Sequence, residues 1–291
     1  MIPKNIRYVI ISPVRDEEGF IGKTAESILS QTVLPSEWIL VNDGSSDRTG
    51  EILDAYAREH AWIRVVHRAN RGFRKSGGGV VEAFNDGLNA SQFKDWDFLI
   101  KLDGDLILTP DYFEKCFDEF RKDSKLGIGG GTIYHELDGK QHIEHVPDFH
   151  VRGATKVYKR ACWEAIGGLW VAPGWDTIDE VKANMLGWTS RSFPEIKLLQ
   201  QRPTGTSENL WKDLVKCGRA RYVSGYHPLF MISSCIFRLF QKPFLMGSTG
   251  LFYGYVSGYW KHLPQVNDPG FIKYLRDQQM RRLMGRETIW R

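Results

Sequence analysis

At 291 residues and 42% hydrophobic content, the chain is long enough for one large α/β domain with a full core, alone or with an appendage, and its composition is that of an ordinary soluble protein. The net charge of +4 hides an asymmetry: from residue 216 onward 12 Lys and Arg face 3 Asp and Glu, whereas upstream 27 face 32. A basic tail on an acidic body suits an anionic partner such as phospholipid or a polyprenyl phosphate better than nucleic acid, and four scattered cysteines without CxxC spacing exclude a small disulfide framework and favour a reducing, cytoplasmic side.

In chain order, the N-terminus MIPKNIRYVIISP has too short an apolar run for a signal peptide. Short β-branched runs predict strands at Tyr8 to Ser12, Trp38 to Asn42, Ile63 to His67, Asp97 to Leu102 and Leu126 to Gly130. Helical stripes lie between them: Ile21, Ala25, Ile28 and Leu29; Ile52, Leu53, Tyr56 and Ala57; Val80, Val81, Ala83, Phe84 and Leu88; and, after Pro110, Phe113, Cys116, Phe117 and Phe120. This βα alternation predicts a mostly parallel sheet flanked by helices, with ligands outside the carboxyl ends of the strands. Residues 131–201 are less regular, with a strand expected at Thr155 to Tyr158, a helix at Arg160 to Ile166 and an acidic helix start near Asp179. A helix is expected around Leu210 to Cys217, then an uncharged aromatic segment from Pro243 to Trp260 with Gly250, Gly254 and Gly258 at four-residue spacing, and a basic end with Arg276, Arg281, Arg282 and Arg286. For residues 243–260 a transmembrane span, a membrane-surface hairpin and a buried or oligomeric helix pair all remain open.

Polar residues directly after the strands carry the chemistry. After the first come Ser12-Pro13-Val14-Arg15-Asp16-Glu17-Glu18, and after the second Val41-Asn42-Asp43-Gly44-Ser45-Ser46-Asp47-Arg48-Thr49. Either segment alone fits helix capping or a turn, and a carboxylate in the second also suits a base N–H or a ribose hydroxyl. After the fourth stand Asp103-Gly104-Asp105. Two carboxylates one residue apart can reach one hard cation together, and Mn²⁺ or Mg²⁺ needs few protein ligands when diphosphate oxygens and water complete its shell.

These segments, with Asn70-Arg71-Gly72-Phe73-Arg74-Lys75 and Gly77-Gly78-Gly79, resemble in order and spacing the signature series of family 2 glycosyltransferases over about the first 200 residues. The resemblance implies a GT-A fold, a nucleoside diphosphate sugar donor, usually UDP-linked, and inversion. It implies that Pro13, Arg15 and Glu17 surround the nucleotide and that Asp43 accepts from the base. Asp103 would approach the ribose or the metal, and Asp105 would bind the metal. Asn42 replaces the family's commoner Asp. Gly72, Arg74 and Lys75 fall where the family has an Asn-x-Gly turn followed by basic residues, whose amides and cations can cradle a diphosphate.

Inverting transfer needs a base for the acceptor hydroxyl. Trp175-Asp176-Thr177-Ile178-Asp179-Glu180 is similar to the family's acidic pair, in the order Asp-Glu rather than Glu-Asp. Asp179 is the favoured base and Glu180 the second; Asp176 ranks behind both because it also fits an N-cap. His135, His142, His145 and His150 match no zinc template, and Trp170, Trp175 and Trp188 suit either sugar stacking or the core. Gln200-Gln201-Arg202-Pro203 lacks the Gln-x-x-Arg-Trp pattern of processive synthases, which favours single-sugar addition.

The expectation is a GT-A catalytic domain over residues 1–202, with the nucleotide-sugar half to about 130 and the acceptor half beyond, and a helical, basic C-terminal extension over 203–291 for membrane contact or homo-oligomerisation. The acceptor would be a saccharide or a lipid-linked saccharide of cell-surface polysaccharide assembly, at the inner face of the membrane. A sugar-phosphate nucleotidyltransferase shares the sheet but has a different Gly-rich N-terminal signature. An inactive sugar-binding relative would not need both a cation site and an acidic pair.

Overall fold

The apolar runs form β1 (Tyr8–Val14), β2 (Glu37–Asn42), β3 (Ile63–His67) and β4 (Phe98–Leu102), and the stripes between them form α1 (Ile21–Leu29), α2 (Thr49–Glu59) and α3 (Gly78–Ala90). The computed structural model describes residues 6–73, 75, 77–137, 139–144, 146–202, 210–240 and 244–290. The four strands lie parallel in the order β3-β2-β1-β4. Both faces of β1 are covered. Tyr8 and Ile10 join the core beneath α1 and α2, and Val9 and Ile11 join the one beneath α3. Covering on both faces is why these strands read as unbroken apolar runs rather than alternating ones. The β1–β4 ladder ends at Ile11 and Lys101, so Pro13 lies beyond it and its missing N–H costs no bond on that side.

The chain continues through β5 (Leu106–Leu108), α4 (Tyr112–Lys122), β6 (Leu126–Leu137), β7 (Lys140–Ile143), β8 (Thr155–Lys159), α5 (Arg160–Ile166), α6 (Trp175–Met185) and β9 (Thr189–Gln200). Beyond β4 the order is β8-β6-β9-β5, with β8 antiparallel to both β4 and β6, β6 parallel to β9, and β5 antiparallel to β9. The sheet is therefore parallel in its first half and mixed in its second. β6 runs well past the expected Gly130, and β9 was not foreseen. Gly129, Gly130 and Gly131 lower strand propensity, but a Cβ there would come within 2.5 Å of Phe193, 2.6 Å of the Thr155 carbonyl and 2.4 Å of the Ile196 carbonyl. Glycine lets the neighbouring strands approach.

Among the described residues the chain goes on through the helices α7 (Leu210–Val223), α8 (Pro228–Arg238), α9 (Met246–Trp260) and α10 (Pro269–Leu283). The glycine stripe of α9 packs inside the chain, against α7. A Cβ on Gly254 would lie 2.1 Å from the Val215 carbonyl, and one on Gly250 would lie 2.8 Å from Leu214. Of the three expectations for residues 243–260, the buried helix pair is realised on this face. Among the described residues, no helix is long and apolar enough to cross a membrane; the 15 residues of α9 reach about 22 Å, short of a hydrocarbon core of about 30 Å. α10 closes on α6, where Phe271 and Leu275 share a core with Ile178 and Val181.

Candidate active site

The loops after β1 and β2 are joined by three acids. Asp16 accepts from the Ser46 N–H (2.8 Å), Glu18 from the Arg48 N–H (3.0 Å), and Asp47 from the N–H groups of Glu18 (3.1 Å) and Thr49 (3.0 Å). Asn42, where the family more often has Asp, accepts from the Ser45 N–H (2.9 Å) and lies 3.1 Å from His67 Nδ1. These residues build the rim. The carboxylates of Glu17 and Asp43 take no part in it and pair with arginines instead.

Asp43 is held between the guanidinium groups of Arg68 and Arg71. Arg71 and Lys75 both reach Glu82 on α3, and Arg68 reaches Asp86 (2.7 Å). Arg15 braces this loop, donating to the Phe73 carbonyl and to the Asn70 side chain at 3.2 Å each. Gly72, at φ 75°, makes the turn. Arg74 lies outside the described residues. Cations already paired to carboxylates can exchange to a diphosphate, which offers them more charge.

Asp103 pairs with the buried Lys101, and its own N–H donates to the Ala154 carbonyl (2.8 Å). Asp105 is buried: one oxygen accepts from Gln200 Nε2 (3.2 Å) and lies 3.6 Å from Arg202, while Oδ1 has no hydrogen-bond partner among the described residues. Arg202 also donates to Glu17 (2.6 Å), whose Oε2 is likewise buried without a partner. Burial, opposed by Arg202, pushes the Glu17 carboxyl up to about 7, and burial with the nearby Asp103 raises that of Asp105. Among the described residues no three His, Cys, Asp or Glu side chains group to hold a metal. Asp103 and Asp105 fit a divalent cation only as a pair whose shell a diphosphate completes, and the orphaned Asp105 oxygen is what such an ion would satisfy.

Across the crevice, α6 brings an acidic cluster to β8. Lys156 is fully buried and bonds both Asp179 oxygens (2.8 and 3.0 Å), Glu180 Oε1 (2.8 Å) and the Asp176 carbonyl. Tyr158 donates to Asp179, and His150 Nδ1 (2.8 Å) and the Val151 N–H (2.7 Å) meet Glu180. The side chains of Asp179 and Glu180 have no exposed surface, so the structure places neither in the crevice. Asp176, in the first turn of α6, is partly exposed, and its carboxylate makes no hydrogen bond or ion pair among the described residues. It lies over Gly153, where a Cβ would come within 3.2 Å of Asp176 Oδ2, and Gly153 precedes the residue that holds Asp103.

Burial works against a charged His150, but Glu180 outweighs it and the imidazole is raised above its usual 6.5. A raised histidine contributes stability that is complete below about 6.5 and is lost as pH rises through the folded value. We expect the melting temperature to fall as pH rises above about 6.5, and His150→Gln to flatten that slope. An unchanged slope in scanning fluorimetry would remove His150 from this role.

In sequence Gln200 and Arg202 signal only the lack of a processive motif. Their place beside Asp105 follows from the pairing of Leu106 with Gln200 in the β5–β9 ladder. The segment after Asp103-Gly104-Asp105 held no cue to that pairing.

The model of the family described as Glycosyl transferase family 2 matches residues 9–166. Among curated proteins, the chain is 34% identical over 134 residues to the Uncharacterized glycosyltransferase EpsJ of Bacillus subtilis (46% of this chain, 36% of that one). It is 30% identical over 131 residues to Glycosyltransferase GlyG of Streptococcus pneumoniae (45% and 40%), and 31% identical over 117 residues to the Chondroitin synthase of Escherichia coli (40% and 16%). The chain thus spans less than half the length of each of these relatives. Among solved structures, the mannosyltransferase PcManGT of Pyrobaculum calidifontis, in complex with GDP-Man and Mn²⁺, superposes with a TM-score of 0.57 at 14% identity, over 97% of this chain and 76% of that one. TarS residues 1–349 of S. aureus, in complex with UDP, superpose at 0.54 and 13% identity, over 88% and 72%. At these identities the likeness establishes the shared GT-A type of fold.

Proposed function

The chain belongs to glycosyl transferase family 2, whose model covers more than half of it, and from that premise we propose that it transfers a single sugar from a nucleoside diphosphate sugar, a UDP-sugar first, to a hydroxyl of a saccharide or lipid-linked acceptor with inversion. The observation that carries this reading is the placement of Asp43, with Arg71 and Lys75 beside it, and of Asp103 and Asp105 at the carboxyl ends of the parallel strands β2 and β4, with Asp176 on α6 over the Gly153 that precedes the Asp103 partner Ala154. The GDP-Man and UDP complexes of PcManGT and TarS support the donor class, and the Mn²⁺ of the former supports a divalent cation.

In this reading Pro13 and Arg15 shape the floor and brace the loop, and Asp43 turns from its arginines to the nucleobase. Gly72, Arg71, Arg74 and Lys75 hold the diphosphate. Asp103 and Asp105 would hold Mn²⁺ or Mg²⁺, which when bound neutralises charge on the leaving diphosphate. Glu17 and Arg202 lie behind Asp105 and set its orientation. Asp176 takes the acceptor proton, because its partly exposed carboxylate makes no hydrogen bond or ion pair among the described residues. Asp179 and Glu180 anchor the turn that carries it.

Calorimetric titration of the whole chain with UDP, GDP and dTDP, with Mn²⁺ and then with EDTA, tests the donor. One nucleotide should bind in a metal-dependent manner, and Asp103→Ala/Asp105→Ala should remove the metal-dependent part without unfolding the chain. If no nucleotide binds under any condition, the transferase reading fails.

A further inference from the structure

α8 is apolar on two opposite faces. Met231 and Cys235 turn inward onto Tyr222, Leu251 and Tyr255, whereas Leu229, Ile232, Ile236 and Phe237, at helical spacing, face solvent, with Phe237 70% exposed. α9 repeats the arrangement. Gly250, Gly254 and Gly258 meet α7, and Phe252, Tyr253, Tyr259 and Trp260 point outward, with Trp260 69% exposed. Between the helices Phe240, Phe244 and Leu245 are exposed as well, as is Met246 at the start of α9. Trp211, Tyr253 and Trp260 stand in a line of ring contacts at 6.1 and 6.5 Å. Single exposed apolar side chains are ordinary, but a concentration of them marks an interaction surface.

The charges choose the partner. Between residues 210 and 262 there are seven Lys and Arg and a single acid, Asp213. A second copy of the chain would set this cationic region against itself, which is unfavourable. An anionic bilayer offers negative headgroups to the cations, hydrocarbon to Ile and Phe, and the interfacial layer that Trp and Tyr favour. We propose that the outward faces of α8 and α9, with the exposed residues between them, dock in the plane of an anionic phospholipid membrane. The helices lie on the membrane without crossing it. This deepens the lipid-linked acceptor reading above, and its test does not depend on turnover.

The test is flotation of the full chain with phosphatidylcholine vesicles, with and without phosphatidylglycerol. The protein should float with the phosphatidylglycerol vesicles, less so as salt rises. Ile236→Glu/Trp260→Glu should lower partitioning by about tenfold or more, since charge replaces apolar area at the interface. The milder Phe252→Ser/Trp260→Ser should lower it in the same direction, and nucleotide binding by both variants should be unchanged. Absence of flotation at low salt, equal flotation of the variants, or a dimer in sedimentation that the variants abolish without any vesicle binding would overturn the proposal. Vesicle binding without nucleotide binding would leave this surface standing and remove the donor reading instead.

Discussion

Asp176→Asn is expected to lower kcat by about 10²- to 10⁴-fold, the usual contribution of a positioned general base, while leaving nucleotide affinity and the melting temperature close to those of the parent. The contrast with its neighbours gives the test its force. Asp179 and Glu180 have no exposed side-chain surface and are tied to Lys156, Tyr158, His150 and the Val151 N–H, so Asp179→Asn should first lose stability. The Asp176 carboxylate makes no such contact among the described residues, and asparagine keeps its shape while removing its ability to accept a proton. Turnover and thermal melting of the two variants side by side decide the matter. If Asp176→Asn keeps its kcat, or if Asp179→Asn loses turnover with an unaltered melt, the base is not Asp176.

Lys156→Met should destabilise the fold by about 3–5 kcal/mol, because it leaves two buried carboxylates without their cation. For a chain of this size that corresponds to a loss of roughly 10 °C in melting temperature. Burial opposes the charge on Lys156, yet Asp179 and Glu180 keep its ammonium raised above the ordinary value; the carboxyl of Asp179 is itself raised by burial, against the pull of Lys156. The group therefore stands or falls together. A second variant, Lys156→Met/Asp179→Asn, should be less damaged than the sum of its single changes, since the remaining charge is smaller. Additive losses in a denaturant cycle would mean that the residues do not act as one network. The Asp176 carbonyl is also bonded by Lys156, so the same change should lower kcat in whatever fraction stays folded.

Much of the nucleotide half could be read locally. Strands covered on both faces, such as β1 and β2, announce themselves as apolar runs, and the stripes of α1, α3 and α4 follow from the helical period. Asp43, Asp103 and Asp105 were legible because a residue directly after a parallel strand must lie at the carboxyl edge of the sheet. The acceptor half was less so. The Gly129–Gly131 run hid the continuation of β6 beyond the expected Gly130, since glycine is a poor strand former except where a neighbour needs its missing side chain. Arg202 reaches Glu17 from 185 residues away in sequence, through a ladder with no local signature.

The division between the two kinds of knowledge is a physical one. By itself the amino-acid sequence determined the family, the parallel first half of the sheet, the acids at its edge and the cationic, aromatic tail, because each depends on periodicity or on position relative to one element. Only the tertiary structure decided which carboxylate of Asp176, Asp179 and Glu180 is left partly exposed, and which face of α9 is buried by glycine and which is left to the surroundings. Those outcomes turn on desolvation and ion pairing. A charge is neutralised or exposed according to what the rest of the chain packs against it, and in this chain the deciding partner of α6, Lys156, comes from the strand β8.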